Sequence, residues 1–413
     1  MSSFYYKEND LYCEDAAVSD IIGKSGSPCF IYSASEFRER FDSMRSAFSG
    51  TEPLICYSVK GCSNLSILKL LAGKGSGADI VSGGELFRTL KAGIPPEKTV
   101  YAGVGKRDDE IEYAIDSGIL LFNAESMEEA ERINEIAGRK GVRAPLSFRV
   151  NPDIDAETHA YTTTAKKDKK FGIPILNAPE FFAKASSMEN VDVKGVDCHL
   201  GSPIYKTDPY LKAAKKLTAL CDNLREQGIN LEYIDMGGGV AIVYENENPF
   251  KPADLAEILT PFFKSRSEKL ILEPGRYISG NSGILAGTIV YKKKTAVKTF
   301  LITDFSMNEL IRPPFYGSYH GIVPVHKRNE GKETVDVVGP VCESSDFSAI
   351  DREAEIMRQG DLITAQSAGA YCFSMSSNYN SRTRPAEVLV DGSSFRTIRS
   401  RETYEDLIRG ENV

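Results

Sequence analysis

No two of the eight cysteines, at Cys13, Cys29, Cys56, Cys62, Cys198, Cys221, Cys342 and Cys372, form a CxxC pair. That excludes a zinc-binding cysteine cluster and a disulfide framework, and no metal site is expected. Several of them sit in apolar strand-like runs, the pattern of reduced, buried thiols in a cytoplasmic protein. Positive charge is also short: 50 Lys and Arg against 58 Asp and Glu leave a net charge of −8. A general nucleic-acid or anionic-membrane binder needs the opposite sign. No apolar run approaches the roughly 18 residues of a membrane span, so no membrane partner is expected. The first ten residues have no basic start followed by an apolar stretch, and no signal peptide is expected. What remains is an ordinary soluble composition, 41% hydrophobic and 26% charged over 413 residues, long enough for two domains.

Between residues 54 and 275, short apolar runs alternate with amphipathic ones. The short runs are 54–59, 78–81, 99–104, 119–123, 145–150, 194–199, 231–236 and 269–273. Helical patterns fall between them, such as Leu65-Ile67-Leu68-Leu71 and Met127-Ala130-Ile133-Ile136-Ala137. Eight strands interleaved with helices make the α/β class, a closed (β/α)8 TIM-type barrel rather than an open sheet. From about residue 285 the texture turns β-rich, in runs around 287–291, 298–303, 334–338 and 386–390, the last followed by the turn signal Asp391-Gly392. The expected organisation is a barrel over 31–283 and a β-rich domain over 284–413, joined by the N-terminal segment 1–30. The basic run Lys166–Lys170 falls in the connection after the fifth strand and reads as a solvated loop.

Barrel enzymes keep their chemistry at the C-terminal strand ends. Here those ends are Lys60, Asp79, Arg149, His199, Gly237-Gly238-Gly239, Glu273 and Arg276. Each has an ordinary reading: Lys60 a lysine leaving a strand for solvent, Asp79 a helix cap, Arg149 an ion-pair partner, His199 a core histidine, the glycines a tight turn. Together they describe something more specific. Lysine can bond covalently to an aldehyde, and histidine can stack on a flat ring. Glycines let backbone N–H groups crowd an anion, and arginine suits a phosphate or carboxylate. A carboxylate at a pyridine nitrogen keeps that ring an electron sink. These parts fit pyridoxal phosphate.

The motifs Tyr57-Ser-Val-Lys60, Ser82-Gly-Gly-Glu85, His199-Leu-Gly-Ser202, Gly237-Gly-Gly239 and Glu273-Pro274-Gly275-Arg276 resemble the barrel-type pyridoxal-phosphate decarboxylases. Met307-Asn-Glu-Leu-Ile-Arg312-Pro with Tyr316, Cys342-Glu343-Ser-Ser-Asp346-Phe347, and Gly369-Ala-Tyr371-Cys-Phe-Ser-Met-Ser-Ser-Asn-Tyr-Asn narrow the likeness to the diaminopimelate decarboxylase family. The resemblance covers essentially the whole chain. It implies an alanine racemase-like two-domain architecture and conversion of meso-2,6-diaminopimelate to L-lysine and CO2, the last step of lysine biosynthesis. It implies that Lys60 forms the imine with pyridoxal 5'-phosphate and that His199 stacks on the ring, with Asp79 also on the cofactor side. Ser202, Gly237, Gly238, Gly239 and Arg276 would serve the phosphate region and Glu273 the ring nitrogen, with Pro274 and Gly275 also binding the cofactor. Arg276, Arg312 and Tyr316 would grip the distal carboxylate of the substrate, Glu343 its distal ammonium, and Tyr371 both cofactor and substrate. Cys342 would protonate the carbanion, reaching with Glu343 into the neighbouring subunit of a homodimer with shared active sites.

Some positions depart from the family pattern. Lys-Ala-Asn is replaced by Lys60-Gly61-Cys62, the glutamine after the His-x-Gly-Ser motif by Pro203, and a Pro and a Gly near His159 by Ala160 and Ala165. A sister decarboxylase acting on ornithine, arginine or carboxynorspermidine stays open, as does a non-catalytic cofactor-binding homologue. Diamines lacking a distal carboxylate would not need Arg312 with Tyr316, whereas retention of Lys60 and Cys342 favours catalysis.

Overall fold

The computed structural model describes residues 3–155 and 170–412. His159, Ala160, Ala165 and most of the basic run, Lys166 to Lys169, lie outside the described residues. The chain forms two compact units, one of Arg40–Ile242 with Asn248–Tyr277, the other of Met1–Glu39, Val243–Glu247 and Ile278–Val413.

The first unit is a closed (β/α)8 barrel. Its strands are β1 (Leu54–Ser58), β2 (Gly77–Ile80), β3 (Thr99–Tyr101), β4 (Leu121–Ala124), β5 (Ala144–Asn151), β6 (Val191–Asp197), β7 (Tyr233–Asp235) and β8 (Lys269–Leu272). Each pairs in parallel with the next. The ring closes where Ile271 and Leu272 of β8 meet Leu54 and Ile55 of β1. Cys56, Val100, Leu121 and Ile271 fill part of the interior with fully buried side chains, so the barrel is packed rather than porous.

Local chemistry sets where the intervening helices begin. Asn64, Ser82 and Ser126 are N-caps whose side chains accept from the backbone N–H groups of Ser66, Glu85 and Glu129, satisfying donors that the first helical turn leaves open. The Ser82–Glu85 motif is thus a helix start, and Glu85 closes it by accepting from Val81 N–H at 2.8 Å.

The second unit is built on the long strand Gly283–Lys294. It pairs antiparallel with Cys29–Ser33, Thr299–Thr303 and Leu362–Ala365. Cys29–Ser33 lies between that strand and Ala386–Asp391. A three-stranded N-terminal sheet, Phe4–Lys7, Asp10–Cys13 and Ala16–Ala17, shares one apolar core with these strands through Leu11, Ile21, Ile31, Ile284 and Val388. Among the described residues no helix is long and apolar enough to cross a membrane.

Candidate active site

Lys60 follows β1 on a single 3-10 turn, Val59–Gly61. The apolar run therefore ends one residue before Val59, and the turn swings the lysine out of the strand. Its Nζ lies 2.7 Å from Asp79 Oδ2 at the end of β2, and the same oxygen accepts from Ser58 Oγ at 2.8 Å. The lysine side chain is 36% exposed while that of Asp79 is fully buried. The amine thus sits over the barrel mouth with its counter-ion beneath it.

Below Lys60, carboxylates crowd together. Oxygens of Asp197, Asp235 and Glu273, at the ends of β6, β7 and β8, all lie within 4.8 Å of one another and are buried. Among the described residues, Glu273 Oε1, Asp79 Oδ1, Asp197 Oδ1 and Asp235 Oδ2 have no hydrogen-bond partner. Burial, reinforced by the neighbouring carboxylates, holds the proton affinities of Glu273 and Asp197 well above the usual range, and burial raises Asp235 to about 7. Like charges packed this closely in a low dielectric cannot all ionise, so the cluster retains protons. Arg149 is the internal ion-pair partner of this layer. Its Nη1 donates to Glu125 Oε1 at 2.8 Å, its Nε approaches Asp197 Oδ2 at 4.0 Å, and its guanidinium lies 4.8 Å from the Phe171 ring centroid.

The glycine triplet follows β7, and its composition is forced by backbone proximity. A Cβ on Gly237 would lie 2.5 Å from Cys198 O, one on Gly238 2.1 Å from Glu273 O, and one on Gly239 2.3 Å from Gly201 O. Gly237 and Gly239 also take left-handed φ values of 66° and 104°, which glycine adopts without strain. The loop thereby draws the ends of β6, β7 and β8 together. Gly238 N–H donates to His199 Nδ1 at 3.3 Å, which makes Nδ1 an acceptor and puts the ring proton on Nε2. Burial, with the Arg149 and Lys60 cations nearby, pushes His199 well below the usual histidine range. The ring is therefore a neutral plate. Ser202 Oγ accepts from Arg276 Nε at 3.1 Å, Pro274 O accepts from Ser58 N–H at 3.4 Å, and Pro274, Gly275 and Arg276 are all buried.

The second unit carries the other sequence candidates. Arg312 opens the short helix Arg312–Tyr316 and is only 5% exposed. Its Nη1 meets His320 Nε2 at 2.9 Å and its Nη2 donates to Ser318 Oγ at 3.2 Å. No ion pair joins it to a carboxylate among the described residues. Tyr316, at the end of that helix, packs edge-on against Phe315. Cys342 and Glu343 are exposed in a tight turn. Asp346 holds the turn by accepting from Val341 and Met307 N–H at 2.7 Å each, and Asn380 Oδ1 accepts from Cys342 N–H at 2.7 Å. Tyr371 adopts a left-handed φ of 60°, costly for a bulky side chain and concentrated at functional sites.

The family described as "Pyridoxal-dependent decarboxylase, pyridoxal binding domain" matches residues 34–280. The diaminopimelate decarboxylase of Aquifex aeolicus is 45% identical over 404 residues, covering 98% of this chain and 96% of the relative. That of Haemophilus influenzae is 46% identical over 409 residues, with 98% of both covered. The chain belongs to the diaminopimelate decarboxylase family. A crystal structure of diaminopimelate decarboxylase from Helicobacter pylori complexed with L-lysine superposes with a TM-score of 0.91 at 40% identity, covering 95% of this chain and 98% of that one.

The barrel mouth fits the family's pyridoxal phosphate. An amine stands at a strand end, a flat neutral imidazole lies nearby, a buried carboxyl oxygen has no hydrogen-bond partner among the described residues, and no side chain projects from the glycine loop. Sequence reading passed over Asp197, Asp235, Glu125, Tyr244 and His320. The first two carried a visible signal, an acid inside an otherwise apolar strand run, as in Tyr233-Ile234-Asp235-Met236.

Proposed function

We propose that this protein removes CO2 from the D-centre of meso-2,6-diaminopimelate and releases L-lysine. Pyridoxal phosphate, when bound, supplies a covalent anchor for the substrate amine and a sink for the electron pair left as CO2 departs. Lys60 provides the amine that holds it, and Asp79 orients that amine. Glu273 has the proton affinity to arrive carrying the proton that the ring nitrogen needs. His199 presents a neutral face for stacking. Ser202, the Gly237–Gly239 loop and Arg276 serve the phosphate, and Pro274 and Gly275 also line the cofactor.

Substrate choice rests on one observation, the buried Arg312 with no carboxylate partner among the described residues. A guanidinium so placed is strongly disfavoured without an anion, and the distal carboxylate of an amino dicarboxylate supplies one. Arg276 and Tyr316 assist at that carboxylate, Glu343 meets the distal ammonium, and Tyr371 touches cofactor and substrate. Cys342 Sγ holds the proton delivered to the carbon that loses CO2. The exposure of Cys342 and Glu343 supports a homodimer whose subunits complete each other's sites, and mostly buried cysteines that form no disulfide support a cytoplasmic location.

CO2 release from meso-diaminopimelate, ornithine and arginine, measured in parallel, tests this reading. Only the first should turn over well. Arg312→Ala should lower kcat/KM for it by about 2–4 kcal/mol, roughly 30- to 1000-fold. Near-native kinetics in that variant, or preference for ornithine, would overturn the assignment.

A further inference from the structure

Beside Arg312 lies a histidine whose protonation state the geometry alone dictates. His320 is fully buried. Its Nδ1 lies 2.8 Å from the Gln366 carbonyl oxygen and its Nε2 lies 2.9 Å from Arg312 Nη1. A carbonyl oxygen only accepts and a guanidinium only donates. Nδ1 must therefore carry the proton and Nε2 must offer its lone pair, so the ring is neutral with a single tautomer. An imidazole that accepts from an arginine is an unusual partner for a buried cation, because it orients the guanidinium without neutralising it.

The surroundings reinforce that role. The Tyr244 ring centroid lies 4.9 Å from the Arg312 guanidinium carbon and 5.7 Å from the His320 ring, to which it is nearly perpendicular. Ser318 takes a second guanidinium N–H. Arg352 Nη1 donates to the His320 carbonyl oxygen at 2.8 Å, fixing the histidine backbone as well. Gln366 itself is tied down, its N–H donating to Gly321 O at 2.8 Å. Each of these partners is neutral at the atoms that meet the guanidinium, so the fork is held in place with no carboxylate among the described residues to answer its charge. A carboxylate counter-ion would hold Arg312 equally firmly but would compete with the substrate for it.

We propose that His320 is a positioning residue, which aims Arg312 at the distal carboxylate of the substrate while leaving its positive charge available. The role rests on the substrate reading given above. It makes Nε2 of His320 a determinant of selectivity for amino dicarboxylates, acting on substrate affinity rather than on the bond-breaking step.

Two near-isosteric substitutions separate this from simple packing. His320→Gln can keep an acceptor at the Nε2 position, whereas His320→Asn keeps a donor at the Nδ1 position and loses the acceptor. Steady-state kinetics of the cofactor-loaded enzymes with meso-diaminopimelate should show KM raised about ten-fold or more in His320→Asn, with kcat changed less than about two-fold. His320→Gln should stay within about three-fold of wild type in KM. The absorbance of the bound cofactor should be the same in all three. Should His320→Asn fail to fold, His320→Met fills similar volume without an acceptor and should show the same rise in KM.

Equal effects of Gln and Asn on KM would overturn the positioning role, as would a fall confined to kcat. Arg312→Ala, run alongside, separates the role of His320 from that of Arg312. If it raises KM while the acceptor-free variants do not, the substrate reading survives and His320 has no part in it. If Arg312→Ala leaves KM unchanged, the substrate reading falls and the proposal with it.

Discussion

Lys60 Nζ and Asp79 Oδ2 lie 2.7 Å apart, and Ser58 Oγ donates to that same oxygen, so one carboxylate ties the end of β1 to the end of β2. Ion pairing and covalent chemistry can be separated at this position. Lys60→Arg keeps a cation beside Asp79, but a guanidinium stays protonated and cannot bond an aldehyde. The unfolding midpoint of this variant should remain near wild type while CO2 release falls on the order of 1000-fold or more. In the wild-type enzyme, borohydride reduction followed by peptide mapping should place the pyridoxyl group on Lys60. Trapping on another lysine would contradict the assignment.

Arg149 offsets two buried acids at once. Arg149→Met would leave Glu125 and Asp197 without their cation, and breaking a buried pair in this way costs about 3–5 kcal/mol. Urea unfolding should show that loss. A variant as stable as wild type would mean that the layer beneath Lys60 already carries enough protons to do without the arginine.

The acid cluster also predicts how stability follows pH. Folding raises Asp235 from 3.8 to about 7 and moves Glu273 and Asp197 upward as well, so the folded chain binds more protons than the unfolded one. Their contribution is fully present below the unfolded carboxyl range and is lost as pH rises through the folded values. Cofactor-free protein should lose about 2–4 kcal/mol between about pH 4 and pH 8 from this source. Asp235→Asn should flatten that slope. A slope unchanged by the substitution would show that Asp235 is not the group that titrates.

Gly238→Ala would drive a methyl group to 2.1 Å from the Glu273 carbonyl oxygen, a backbone atom with little freedom to retreat. Overpacking of this kind costs about 1–3 kcal/mol, and here it would also spread the strand ends that form the cofactor region. Cofactor affinity should fall at least about ten-fold by absorbance titration. Gly105→Ala is the control, since no atom of the described residues lies within 4 Å of a Cβ there, and it should bind normally.

The proposed shared site makes a mixing prediction. Lys60→Ala and Cys342→Ala homodimers should each turn over poorly, whereas a hybrid would hold one site with both native groups. Statistical exchange makes about half the dimers hybrids with one good site of two, so activity should recover to roughly a quarter of wild type. Mass-tagged chains verify the exchange. Proven exchange without recovery would place both residues' work within one chain, or relieve Cys342 of the acid role.

Much of the barrel was legible because its signal is local. Strand runs alternate with 3.6-residue periodicity, and a lone lysine after Leu54-Ile-Cys-Tyr-Ser-Val stands out against them. The glycine triplet was visible too, but not its cause, because Cys198, Gly201 and Glu273 approach it from residues 34 to 41 positions away. His320 stayed hidden for a similar reason. Its meaning lies in the carbonyl of Gln366 and the guanidinium of Arg312, and neither bond leaves a mark in residue spacing. Asp197 and Asp235 carried a mark, yet an acid inside an apolar strand says only that burial must be compensated, and the compensating protons are shared among several strands.

The placement of Cys29–Ser33 between Gly283–Lys294 and Ala386–Asp391 has a consequence for synthesis on the ribosome. Every barrel strand is made before the first of those partners. The early strand finds its second neighbour only after some 353 further residues (Ser33 to Ala386), roughly 20–70 s at about 5–20 residues per second. Both of its hydrogen-bonding edges await partners until Gly283–Lys294 is made, and the edge that meets Ala386–Asp391 waits for the rest of that interval. The nascent chain thus presents a sticky leading segment ahead of a barrel free to close, and translation speed sets how long that segment stays available to chaperones.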